Sequence, residues 1–171
     1  HSLNTPLTSS LGRLCDGVAA ILGLGRRSHY EGQAPMLLEA CAARQSAIEL
    51  EFGLLQDSQG FILNPSGLIR AMSEARLAGA SAAELSLSFH RAVIAGFSRI
   101  AVLATERTGL TRVCLSGGCC QNRLLFEGLI ESLTSAGLDV YTQSLVPAGD
   151  GGLALGQAVA AAAQIKLRNA S

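Results

Sequence analysis

Arg112-Val113-Cys114-Leu115-Ser116-Gly117-Gly118-Cys119-Cys120-Gln121-Asn122-Arg123-Leu124-Leu125 carries the change of period that decides the fold. Its first five residues, Cys114 among them, read as a buried strand, and the paired glycines let the chain turn at once. Beyond the turn the period lengthens. Leu125, Leu129, Leu133 and Ala136 recur on one helical face, while Arg123, Glu127 and Glu131 fall on the other. Gly137 stops that helix, Leu138–Thr142 reads as the next strand, and a loop over Pro147–Gly152 opens a last helix to about Lys166. Strand, helix, strand, helix is a right-handed βαβ arrangement.

Upstream of this unit the pattern is helical. Thr5–Leu24 reads as a helix with Pro6 in its first turn and Leu11, Cys15, Val18 and Leu22 at helical spacing; Gly23 and Gly25 end it. A second helix is predicted from about Gln33 to Glu51. Phe61-Ile62-Leu63 before Asn64-Pro65 reads as an edge strand that leads into a helix over Ser66–Ala78. Ser81-Ala82-Ala83-Glu84 is a capping box. Behind it Leu85, Phe89, Ala92, Gly96, Ile100 and Leu103 form one stripe, with Glu84, Arg91 and Ser98 off it, in a long helix ending near Gly109. The expectation is one helix-rich α/β domain, mostly helical over 5–109 and βαβα over 110–166.

Composition removes several classes of function. At 171 residues the chain is large enough to bury a core of its own. Thirteen basic residues against thirteen acidic ones leave no electrostatic footprint for nucleic acid. Uncharged stretches such as Gly151–Ile165 are too short and too rich in glycine and alanine for a bilayer, and His1-Ser2-Leu3-Asn4 has no leader pattern. A soluble, cytoplasmic protein without nucleic-acid or membrane partners is expected. The five cysteines include no Cys-x-x-Cys pair, so they read as reduced thiols used as small hydrophobes.

Three places hold the residue types that chemistry needs. Ser116-Gly117-Gly118-Cys119-Cys120-Gln121-Asn122 joins a strand to a helix, where bare backbone and N-terminal amides suit an anion and Asn122 can offer an amide; a plain tight turn would look the same. Gly149-Asp150-Gly151-Gly152 also joins a strand to a helix. Asp150 there is either an N-cap or a carboxylate at a phosphate site. Both loops follow strands of one sheet, so they should open at one edge, where α/β sheets bind ligands. Gly12 and Asp16 lie one helical turn apart; a glycine there spares room for a flat ligand and a carboxylate can accept from ribose hydroxyls, although a tolerated glycine beside a solvated aspartate fits equally. His29 and His90 read as ordinary histidines, His90 as a satisfied core residue.

Taken together, Thr8 to Asp16, Tyr30-Glu31-Gly32-Gln33-Ala34, Phe89-His90, Leu115-Ser116-Gly117-Gly118 with Gln121-Asn122-Arg123-Leu124-Leu125, and Pro147 to Ala158 resemble the HypF carbamoyltransferases over about residues 5–165. The resemblance implies the C-terminal half of an actin-like, sugar-kinase-like nucleotide-binding fold with a helical insertion. It matches Gly12, Asp16 and Asn122 to positions that hold ribose and base, Gly117 and Gly118 to the phosphate-side turn, and Asp150 to a metal-ligand aspartate. It further implies ATP or carbamoyl-adenylate and a divalent metal as ligands, carbamoyl phosphate as a substrate of the full enzyme, and transfer to the C-terminal cysteine of a HypE-type acceptor in nickel–iron hydrogenase maturation. No catalytic cysteine is expected in this chain, since the nucleophile is the acceptor's. The family's other parts are missing here, so the chain is expected to be a piece of a longer enzyme, with His1-Ser2 foreign to it, inert alone and prone to self-association. Two alternatives are a domain like the tRNA threonylcarbamoyl-adenosine transferases, disfavoured by Tyr30-Glu31-Gly32-Gln33 and Gln121-Asn122-Arg123, and a non-catalytic interaction or dimerisation module.

Overall fold

The computed structural model of the chain describes residues 7–25, 27–42, 46–57 and 60–169. In order these form α1 (Leu11–Ile21), α2 (Gln33–Cys41), β1 (Gly53–Gln56), β2 (Phe61–Asn64), α3 (Ser66–Leu77), α4 (Ala82–Thr108), β3 (Arg112–Leu115), α5 (Arg123–Ser135), β4 (Asp139–Thr142) and α6 (Leu153–Asn169). One-turn 3-10 segments, Gly118–Gln121 and Asp150–Gly152, precede α5 and α6.

The α4 helix is the spine because both its ends are fixed by local chemistry. Ser81 Oγ accepts from the Glu84 amide at 3.2 Å, and Glu84 Oε2 accepts from the Ser81 amide at 3.1 Å. Gly109, at φ 72°, closes the other end in a left-handed conformation. Leu85, Phe89, Ala92 and Val93 of α4 are buried in one core with Cys15 and Val18 of α1, Leu38 of α2, Leu68 and Met72 of α3 and Leu125 of α5. In length and apolar composition α4 would also suffice to cross a membrane. Here it is instead the axis on which α2, α3, α5 and β2 pack. Gly96 lets the hairpin approach closely, since a methyl there would sit 3.1 Å from Leu63 Cδ1.

Strands β3 and β4 pair in parallel, Val113 opposite Val140 and Leu115 opposite Thr142, with α5 as the crossover. That is the βαβα order read from the glycine turn. The last helix is less covered: Leu153, Leu155, Val159, Ile165 and Leu167 of α6 are all exposed.

Several boundaries differ from expectation. Helix α1 starts at Leu11, because Ser10 takes an extended conformation and its Oγ accepts from the Arg13 amide at 3.3 Å. Thr5 and Pro6, like His1 and Ser2, lie outside the described residues. The second helix ends at Cys41 instead of running to Glu51. Beyond it Ser46 Oγ donates to Glu84 Oε1 at 2.7 Å and the Ile48 amide donates to Ser88 Oγ at 2.9 Å, so α4 side chains fasten this segment in a non-helical path. The hairpin partner β1 went unread. Its register pairs Leu54 with Leu63, and Asp57 Oδ1 accepts from the Gly60 amide at 2.9 Å in the turn. Ser98 is buried although its spacing sets it off the core stripe, and Ala136 is exposed although its spacing sets it on one. Strand β3, expected to be buried, leaves Cys114 exposed and Val113 and Leu115 half-buried.

Candidate functional site

The two glycine-bearing loops at the carboxyl ends of β3 and β4 form one structure. The Gly117 amide donates to Ala148 O at 2.7 Å, and Ser116 Oγ donates to the same oxygen at 3.3 Å. Gly117 sits at φ 105° and ψ 164°, a region essentially closed to side-chain-bearing residues. Gly118 faces open space, with no atom within 4 Å of where a Cβ would be. A methyl on Gly149 would lie 3.7 Å from Gly118 Cα, and one on Gly152 would be driven to 2.5 Å from Pro147 O. Gly117 and Gly152 are therefore required by the fold. Gly118 is not, which leaves its bare surface to be explained from outside.

Helix α1 borders the same place. Leu11 lines an apolar cavity of about 460 Å³ together with Leu115, Gly117, Gly118 and Cys119, closed beneath by Phe97 of α4. A Cβ on Gly12 would meet only Ser10 Oγ at 3.6 Å, an ordinary contact, so internal packing gives no reason for that glycine either. Asp16, one turn on, pairs with Arg13 Nη1 at 2.8 Å in a partly exposed ion pair. Such a pair contributes little to stability and opens readily to a competing donor. Between them Cys15 is buried, and its thiol is pushed up to about 12, chiefly by that burial and further by Cys119 and Asp16. Burial also raises the Cys119 and Cys120 thiols. All five cysteines are free. The three near the turn are poor nucleophiles, as their reading as hydrophobes requires.

Asn122, expected inside the first turns of the helix that follows the glycines, stands just before α5. It is the N-cap of α5, outside the helix, and its Oδ1 accepts from the Leu125 amide at 3.0 Å. Its Nδ2 lies 3.0 Å from His90 Nε2, and His90 Nδ1 lies 2.7 Å from Ser86 O. Glu39, reaching over from α2, accepts from the Arg123 amide at 2.7 Å. Two of the N-terminal amides of α5, expected to be free for an anion, are thus already engaged, Arg123 by Glu39 and Leu125 by Asn122. Gly118 and Cys119 head the 3-10 turn that precedes them. The contribution of Glu39 left no trace in sequence, being 84 residues from its partner. That of His90 had only its i, i−4 spacing to Ser86.

Asp150 heads the 3-10 turn before α6, exposed, and makes no cap hydrogen bond. The N-cap explanation of this aspartate is therefore not realised. Nor do other ligands converge on it: among the described residues no group of three His, Cys, Asp or Glu side chains stands close enough to hold a metal. One carboxylate falls short of the ligand sets of magnesium or calcium. The described residues do not by themselves fit a metal ion, and no chemical step is derived through one.

Residues 1–157 match the family model described as carbamoyltransferase, Kae1-like domain, second subdomain. A carbamoyltransferase HypF of Rhizobium leguminosarum bv. viciae is 38% identical over 156 residues, covering 91% of this chain and 20% of that protein. One from Rhodobacter capsulatus is 36% identical over 167 residues, covering 96% and 21% respectively. Among solved structures, full-length HypF in a phosphate- and nucleotide-bound form superposes with a TM-score of 0.85 at 38% identity, over 90% of this chain and 20% of that one. The chain spans about a fifth of the length of these relatives.

Proposed function

The chain belongs to the HypF carbamoyltransferase family, in the second subdomain of its Kae1-like domain, and from that premise we propose that it forms one wall of a nucleotide site. The observation that carries the reading is the pair of glycines, Gly12 and Gly118, that the fold does not need. Gly118 lines the apolar cleft in a turn whose backbone is bare, and Gly12 and the releasable carboxylate of Asp16 stand on α1, whose Leu11 lines the same cleft. ATP or carbamoyl-adenylate would lie with its phosphates over Gly117–Gly118 and its ribose against Gly12 and Asp16, while Asn122 offers the amide hydrogen that its own cap leaves over. The ligand in the nucleotide-bound relative supports this class of ligand. Asp150 would contribute one metal ligand, with the remainder coming from residues beyond those described.

In that setting the chain's residues bind and orient. In the whole enzyme a carbamoyl-adenylate made from carbamoyl phosphate and ATP would be attacked at its carbonyl carbon by an acceptor thiolate, on a HypE-type protein, with AMP leaving. This chain's part is to hold the adenylate while that occurs, in a cytoplasmic protein. Titrating ATP against the purified chain by calorimetry, with Asp16→Ala alongside, tests the reading. Binding that weakens about tenfold or more in the variant, the size expected for loss of a charged hydrogen-bonding group, supports it. ATP affinity unchanged by Asp16→Ala would remove the ribose role.

A further inference from the structure

The mechanism above uses Asn122 but leaves the buried His90 beneath it unexplained. Ser86 O is a carbonyl and can only accept, so His90 Nδ1, 2.7 Å away, must carry a proton and donate. Nε2 of a neutral ring is then bare and can only accept. The group facing it at 3.0 Å is the Asn122 carboxamide nitrogen, a donor. The orientation of that carboxamide has an independent check, because its oxygen accepts from the Leu125 amide, which can only donate. Every donor meets an acceptor along the line Ser86 O, His90, Asn122, Leu125 N. A carboxamide has two N–H donors, so one N–H of Asn122 remains beyond these bonds.

We propose that His90 is a positioning residue for the nucleotide site: as the neutral Nδ1–H tautomer it holds one amide hydrogen of Asn122 so that the other faces the ligand. The inference rests on the nucleotide reading of Asn122. Cap and histidine restrain opposite ends of one amide, which fixes its rotation more tightly than either alone. Protonation of His90 would set an N–H against an N–H and release Asn122. Burial disfavours that form and lowers the His90 pKa, against smaller opposing pulls from the Ser86 carbonyl and from Glu39 of α2. Arg91 on α4 and Glu131 on α5 line a groove together with His90.

The test is ATP binding and histidine NMR on the purified chain, with His90→Phe and His90→Gln, whose amide oxygen can replace the Nε2 acceptor. ATP affinity should fall about tenfold in His90→Phe, the order of one lost hydrogen-bonded restraint, and stay within about threefold of the parent in His90→Gln. It should also weaken further in the parent than in His90→Gln as pH falls through the depressed pKa of the buried ring, below the ordinary histidine value. Equal loss in both variants would mean that packing matters rather than the acceptor, and would overturn the proposal; so would a ring protonated at Nε2 instead of Nδ1. If the parent binds no ATP, the nucleotide reading fails on its own account, and the ligand-free spectrum still decides for His90. Slowly exchanging Asn122 amide protons kept in His90→Gln and lost in His90→Phe would support the positioning role, whereas no difference would refute it.

Discussion

Replacing Gly12 by alanine should stabilise the chain while weakening its ligand, a pair of opposite signs that a purely structural glycine cannot produce. Gly12 lies in the first turn of α1, at the second helical position after the Ser10 cap. A Cβ built there meets only Ser10 Oγ at 3.6 Å, so no overlap opposes the change. Alanine is better than glycine by up to about 1 kcal/mol in a helix interior, and less near an end, so a gain of roughly 0.5 kcal/mol is expected. For a domain of this size that raises the unfolding midpoint by about 1–2 °C. Gly17, exposed and with no atom within 4 Å of its would-be Cβ, is the control. Its alanine variant should gain about 1 kcal/mol in the helix interior and bind ATP as before. The proposed ribose face, by contrast, would meet the new methyl of Gly12→Ala, and affinity should drop about tenfold or more. Calorimetric unfolding and ATP titration on the three proteins settle the matter. Unchanged ATP affinity in Gly12→Ala would refute the claim that this glycine is kept open for a ligand.

Other outcomes follow from the same geometry. Gly117→Ala should destabilise by about 1–3 kcal/mol through backbone strain alone, read as a lower denaturant midpoint, whereas Gly118→Ala should change the midpoint little and impair ATP binding. Stability should be full above about pH 6.5 and decline as pH falls from there through the depressed pKa of His90, because the unfolded chain then takes up a proton the buried ring refuses; urea unfolding at several pH values would show it, and the slope should vanish in His90→Gln. Native thiol titration at pH 8 should leave Cys15, its thiol at about 12, unreacted while exposed Cys114 reacts, and all five should titrate after unfolding without reductant.

What the sequence could say depended on whether the cause was local. The capping box at Ser81–Glu84 and the stops at Gly109 and Gly137 are set by residues within one turn of each other; α4 begins and ends where they put it, and α5 ends before Gly137. The shift of period after Gly117-Gly118 was enough for the parallel β3–β4 pair, since the pleat and the helical face need no distant partner to be recognised. The second helix failed for the opposite reason. Apolar residues continue past Cys41 at tolerable helical spacing, but Ser46 and Ile48 are fastened to Glu84 and Ser88, some forty residues on, and no local propensity encodes that. The site divides in the same way. Glycines 117 and 118 were legible as types in a turn, whereas the cap role of Asn122 was not. Its two bonds, to Leu125 within its own helix and to His90 on α4, use the amide oxygen and one N–H and leave the second N–H over. With Glu39 on Arg123 as well, two of the first three amides of α5 are met by acceptors, one local and one from α2. The expectation that sets phosphate at Gly117 and Gly118 does not depend on those helix amides, since the bare face of Gly118 lies in the 3-10 turn before them.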